Sequence, residues 1–100
     1  MIQEKTDSNL EEEIFLEEPK LYKVLLLNDD YTSMEFVIMV LMEIFGFENN
    51  KAMATMYKIH EKGSAVCGVY PYEIAEAKVV QVHKVAKEHE YPLRAVMEEE

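Results

Sequence analysis

Residues 21–45 hold two apolar runs of different period with a polar junction between them. Leu21-Tyr22-Lys23-Val24-Leu25-Leu26-Leu27 is short and apolar, follows Pro19, and predicts a largely buried strand. From Met34 to Phe45 apolar residues recur at Met34, Val37, Ile38, Leu41 and Phe45, the spacing of one buried helix face. Phe36, Met39, Val40 and Ile44 are apolar as well, and only Glu35 and Glu43 carry charge. A helix this apolar is either deeply buried or leaves apolar surface for a ligand. Complete burial is hard to arrange in 100 residues, which keeps the second option open. The junction itself is Asn28-Asp29-Asp30-Tyr31-Thr32-Ser33-Met34-Glu35. It sets two carboxylates and an amide within three residues, on a loop held at both ends by rigid elements. That cluster suits a cation: a metal, an ammonium or a guanidinium. Thr32 is the expected N-cap, with Glu35 reaching back to close a capping box, and Gly46 the expected left-handed stop.

A second helix is predicted from about Asn49 to Lys62, ended by Gly63. Met56, Ile59 and His60 share one of its faces. Ser64 to Tyr70 reads as a second strand, where Gly68 allows a close approach. Pro71 opens a third helix in its first turn, running to about Glu90, with a buried stripe of Ile74, Ala75, Val79, Val82, Val85 and Ala86. Leu93 to Glu98 alternates and predicts an edge strand. The order is β-α-α-β-α-β. Three strands cannot close a barrel, so the fold class is α+β: one domain over residues 21–100, a three-stranded sheet covered by three helices.

Residues 1–20 are expected to be a disordered acidic tail, with Ile14, Phe15 and Leu16 as the sole apolar cluster. No run has the length of a membrane span, and the first twenty residues lack the pattern of a secretory signal. Twenty acidic against ten basic side chains argue against sequence-independent nucleic-acid binding and favour a partner with a cationic contact point. The lone Cys67 excludes an internal disulfide and favours a reducing compartment. Flanked by apolar neighbours in a strand, it reads as core filler rather than a nucleophile. Asn28, Asp29 and Asp30 lack the spaced acids, glycine and closing glutamate of a calcium loop. His60, His83 and His89 have no zinc spacing. No metal or cofactor is expected.

Several separated stretches resemble the ClpS family: Tyr22-Lys23-Val24 through Asn28-Asp29-Asp30-Tyr31-Thr32-Ser33-Met34-Glu35-Phe36-Val37-Ile38, Ile59-His60 with Gly63, Val66-Cys67-Gly68-Val69-Tyr70, and Glu73-Ile74-Ala75-Glu76 with Lys78-Val79. The resemblance covers residues 21–98. It implies an adaptor, not an enzyme, that hands proteins with a free N-terminal Leu, Phe, Tyr or Trp to a ClpA- or ClpC-type unfoldase for degradation by ClpP. It implies that Asn28, Asp30 and His60 hold the substrate's α-amino group. The first side chain would enter a pocket lined by Asp29 (mostly through its backbone), Thr32, Met34, Val37, Met56, Ile59 and Leu93. Met34 matches the gatekeeper against β-branched side chains. Glu73 and Lys78 match contacts to the unfoldase's N-terminal domain, and the tail matches the segment engaged during delivery. A monomer in the bacterial cytosol or a plastid stroma is implied.

The residues suit such chemistry on their own account. An α-ammonium carries three donors, and Asn28, Asp30 and a neutral His60 offer three acceptors. An internal peptide lacks the ammonium and would leave them unpaired. Protonation of His60 would remove one acceptor and add a like charge, so binding is expected to weaken toward acid pH. Two departures from the family stand out. Ser33 replaces a common proline, which should soften the loop slightly. Ile59 replaces a common valine, which could narrow the pocket and disfavour tryptophan. Two other readings remain: a protein-interaction domain of another kind, like the acidic ribosomal stalk, and an enzyme using Asp29, Asp30 and His60 around a divalent metal.

Overall fold

Strand β1 (Leu21–Leu27) forms the centre of a three-stranded antiparallel sheet, between β2 (Ser64–Pro71) and β3 (Arg94–Glu99). The structure, a computed structural model, describes residues 18–100. The expected tail therefore lies almost wholly outside the described residues. Helices α1 (Met34–Glu43), α2 (Asn49–Lys62) and α3 (Tyr72–Glu88) complete the expected β-α-α-β-α-β order. Among the described residues, no helix is long and apolar enough to cross a membrane.

The helices cover one sheet face. Val24 and Leu26 of β1, Ala65 and Cys67 of β2, and Ala95 of β3 point into the core with Val40, Leu41, Ala75 and Val82 of the helices. The other face stays open, with Leu25 and Leu27 half-buried and Val66 and Val69 exposed. β1 is thus buried on alternate residues only and is not the largely buried strand its composition suggested. An antiparallel sheet with helices on one side needs one apolar face, and the Leu run supplies more than that. The ladder between β1 and β2 slips by one residue, so that Val24 faces Gly68 and Leu25 faces Val66. The Tyr70 phenol lies over Gly68 in the space a β-carbon would take, so a larger residue there would have to displace that ring.

The helix ends depart from expectation in small ways. α1 stops at Glu43, two residues early, because the chain reverses through Gly46 at φ 75°. The amide of Phe47 then donates to the Leu41 carbonyl at 3.0 Å, satisfying the helix end. The buried stripe of α1 is Phe36, Val37, Val40 and Leu41, while Met34 is exposed and Ile38 and Phe45 half-buried. Pro71 closes β2 and caps α3 from outside rather than sitting in its first turn. α3 ends at Glu88, where Glu90 turns left-handed at φ 61°. Ile74, expected in the buried stripe of α3, is exposed; Ala75, Val82 and Ala86 form that stripe.

Candidate functional site

The loop between β1 and α1 is built by Asp29. Its carboxylate accepts from the backbone N–H of Tyr31 at 2.8 Å and of Thr32 at 2.7 Å, and from the Thr32 hydroxyl at 2.7 Å. Partial burial pushes this carboxyl up, but the Thr32 hydroxyl and the two backbone donors outweigh it and hold Asp29 below the usual aspartate range. Thr32 is therefore committed to Asp29 and does not cap the helix. Ser33 is the N-cap: its hydroxyl accepts from the Phe36 N–H at 3.1 Å. No capping box forms, since the residue three beyond Ser33 is Phe36. The Ser33 hydroxyl also accepts from the Tyr91 phenol at 3.2 Å, and the Tyr91 ring packs 4.8 Å from that of Phe36. These contacts tie the loop to the connection between α3 and β3. Ser33 thus replaces a proline's stiffness with two side-chain bonds. The expected softening of the loop does not take account of them.

On the other side, the Asn28 N–H donates to the Gly63 carbonyl at 2.9 Å, fixing Asn28 beside the end of α2. Gly63 adopts φ 94° and stops α2 at Lys62, within one turn of His60. Loop, α1 and α2 thereby enclose a cavity of about 250 Å³, walled by Asn28, Asp29, Asp30, Thr32, Met34, Val37, Met56, Ile59 and His60. Its deep walls are Val37, Met56 and Ile59, all buried in the core. Asn28, Asp30 and His60 are exposed, and among the described residues no hydrogen bond or ion pair occupies their side chains. The arrangement is a pit with an apolar floor, three acceptors on its rim and no cation. It can take one large apolar side chain carrying an adjacent positive donor, and it is smaller than the ~300–1,000 Å³ clefts that hold drug-sized ligands.

Leu93 lies elsewhere. It is buried in the core and is not part of the cavity wall. Glu73 is exposed in the first turn of α3. The Lys78 ammonium donates to the Ile44 carbonyl at 2.7 Å, where it satisfies the C-terminal end of α1. Sequence reasoning missed this bond and the Tyr91 contact. Both link residues far apart in the chain, so neither leaves a local signal. The other histidines do not join the site: His83 Nε2 accepts from the Ala95 N–H at 3.0 Å, and His89 Nδ1 lies 3.0 Å from the Val85 carbonyl. Among the described residues, no cluster of three or more His, Cys, Asp or Glu side chains is placed to hold a metal ion. Cys67 is buried, and burial, only partly offset by the Leu26 backbone, pushes its thiol up to about 11.

Comparison with known proteins identifies the family. Residues 17–96 match the family model described as ATP-dependent Clp protease adaptor protein ClpS. The chain is 50% identical to the ATP-dependent Clp protease adapter protein ClpS of Wolinella succinogenes over 93 residues, covering 93% of this chain and 91% of that one. It is 55% identical to its counterpart from Helicobacter hepaticus over 84 residues, covering 84% and 85%. Among solved structures, Agrobacterium tumefaciens ClpS2 bound to L-phenylalaninamide superposes with a TM-score of 0.81 at 43% identity, covering 83% of this chain and all of that one. On the family model, these relatives and the shared fold, the chain belongs to the ClpS family, the adaptor proteins of the ATP-dependent Clp protease, and is not itself an enzyme.

Proposed function

We propose that this adaptor recognises proteins by a free N-terminal Leu, Phe, Tyr or Trp and delivers them to a ClpA- or ClpC-type unfoldase for degradation by ClpP. The observation that carries this reading is the cavity with an apolar floor and three uncommitted acceptors on its rim. Asn28, Asp30 and His60 receive the three donors of the α-ammonium, and Met34, Val37, Met56 and Ile59 surround the first side chain. Burial of that side chain contributes roughly 1.5–3 kcal/mol. Asp29 and Thr32 shape the entrance. The relative bound to L-phenylalaninamide, a free amine next to an aromatic side chain, favours the same use of the cavity here. Glu73 and Lys78 face the unfoldase's N-terminal domain. Residues 1–20 form a tail used in delivery, residues 21–100 the recognition core, and the adaptor works as a monomer in the cytoplasm.

Fluorescence anisotropy tests this with a labelled peptide beginning with Leu and its N-acetylated twin. Micromolar or tighter binding of the free amine, lost on acetylation, is expected. Equal binding of the two, or none, overturns the reading and favours an interaction domain of another kind.

A further inference from the structure

Beyond Met34 at the mouth of the cavity, exposed apolar side chains continue along α1 and α2, marking a path termed the furrow. Met34, Ile38 and Met42 follow one another at four-residue intervals on α1 and so form one row along the helix. Met34 is 46% exposed and Met42 36% exposed, and Ile38 is half-buried. On α2, Met53 (38% exposed) and Tyr57 (48% exposed) lie in the turns between Asn49 and the cavity residues Met56 and His60. The far end is fixed by a cross-helix contact, the Asn49 side-chain amide donating to the Met42 sulfur at 3.7 Å. Met53 stands one turn beyond Asn49, on the side that meets α1. Ile38 also packs against the core, but Met34, Met42 and Met53 do not, and Val37, Leu41, Met56 and Ile59 supply the core between the helices without them.

We infer that the furrow is a second substrate subsite, occupied by the stretch of substrate that follows its N-terminal residue and selecting apolar side chains at the third and fifth positions. The inference rests on the reading of the cavity given under Proposed function. Continuity with the cavity fixes the occupant: a chain whose first side chain fills the pit has Met34 beside it. Spacing fixes the positions. An extended peptide advances about 6.6 Å every two residues, and a helix row advances about 6 Å every four residues. Side chains on one face of an extended chain alternate, so the third points the same way as the first. The third then meets Ile38 and Met53, and the fifth meets Met42. Methionine suits such a surface, because its flexible thioether adapts to varied side chains. A single-residue ligand such as L-phenylalaninamide ends at the mouth and does not reach the furrow.

Two peptides of equal composition test the register on the full chain: Phe-Ser-Leu-Ser-Leu and Phe-Leu-Ser-Leu-Ser, each with a free amine and a C-terminal fluorophore. L-phenylalaninamide, as an unlabelled competitor, reads the cavity alone. The expected result is about tenfold tighter binding of the first peptide. Met42→Gln with Met53→Gln should reduce that ratio to within about twofold, while the affinity for L-phenylalaninamide stays the same. Equal affinities for the two peptides in the native chain, with L-phenylalaninamide still bound, overturn the furrow and leave the cavity reading intact. A tenfold ratio that survives both substitutions also overturns it. Failure of L-phenylalaninamide to bind removes the cavity reading and this inference with it.

Discussion

Replacing Asp29 with alanine removes three hydrogen bonds from one loop. Two of them converge on Thr32, which is half-buried, and the third goes to the exposed Tyr31 amide. A hydrogen bond to a charged group contributes about 1.5–3 kcal/mol when protected, and about 1 kcal/mol or less once solvent competes. Counting the Thr32 pair at about 1 kcal/mol each and neglecting Tyr31, the loss comes to ~2 kcal/mol of folding stability. Asp29→Asn keeps one oxygen for the two backbone amides and loses only the charge and the hydroxyl contact, so about half the loss is expected. A second effect falls on binding, because Asn28 and Asp30 flank Asp29 and their positions follow from its turn. A displacement of about 1 Å at either acceptor weakens a charge-assisted bond enough for roughly tenfold loss of peptide affinity. The pH dependence has a definite sign. The carboxyl is depressed in the folded chain, so its stabilisation is present above the unfolded aspartate value of ~3.9 and is lost as pH falls through the folded value. Urea unfolding of the native chain, Asp29→Ala and Asp29→Asn, from neutral pH to about pH 3, with anisotropy of the Leu peptide at neutral pH, measures both effects. Native-like stability of Asp29→Ala at neutral pH, together with unchanged peptide affinity, would refute the reasoning.

Four further outcomes follow from single contacts. His60→Ala should lower affinity for a free-amine peptide by roughly tenfold, through loss of one acceptor for the ammonium, while leaving the weak binding of the N-acetylated twin unchanged; unaltered affinity for the free amine means that His60 only packs. Ile59→Val should cost about 1 kcal/mol in urea unfolding while raising affinity for Trp-first peptides relative to Leu-first ones, and an unchanged Trp to Leu ratio removes Ile59 as a size filter. Lys78→Met leaves the Ile44 carbonyl without its donor and should lower stability by about 1 kcal/mol, even without any unfoldase present; an unaltered urea midpoint would show the bond to be dispensable. The Cys67 thiol, buried and pushed up to about 11, should resist a thiol reagent at neutral pH until the chain unfolds, and prompt labelling of the folded protein would contradict its burial.

Local sequence carried the elements well and their junctions less well. The switch of apolar period at Asn28 located the end of β1 and the start of α1, and Gly46 and Gly63 located two helix ends, because each of these signals is complete within a few residues. Which hydroxyl caps α1 was not decidable in that way. Thr32 and Ser33 are both good caps, and the choice depends on Asp29 taking the Thr32 hydroxyl and on Tyr91, 58 residues away, reaching Ser33. Periodicity likewise set the face of α1 one residue off. It counted Met34 into the core, whereas the helix needs Phe36 inward to meet Tyr91, and that rotation turns Met34 to the cavity mouth.

The composition of α1 carried more than its periodicity did. A helix apolar on nearly every side has more greasy surface than a one-faced sheet and one neighbouring helix can cover, and the excess has to emerge somewhere. It emerges along Met34 and Met42, next to a rim of acceptors with no cation of their own. Were the excess merely tolerated, charged or amide side chains at positions 42 and 53 would serve the fold as well, since these two lie outside the core. Their apolar character is therefore a demand of something that docks there, and the cavity at the end of the row says where that partner begins.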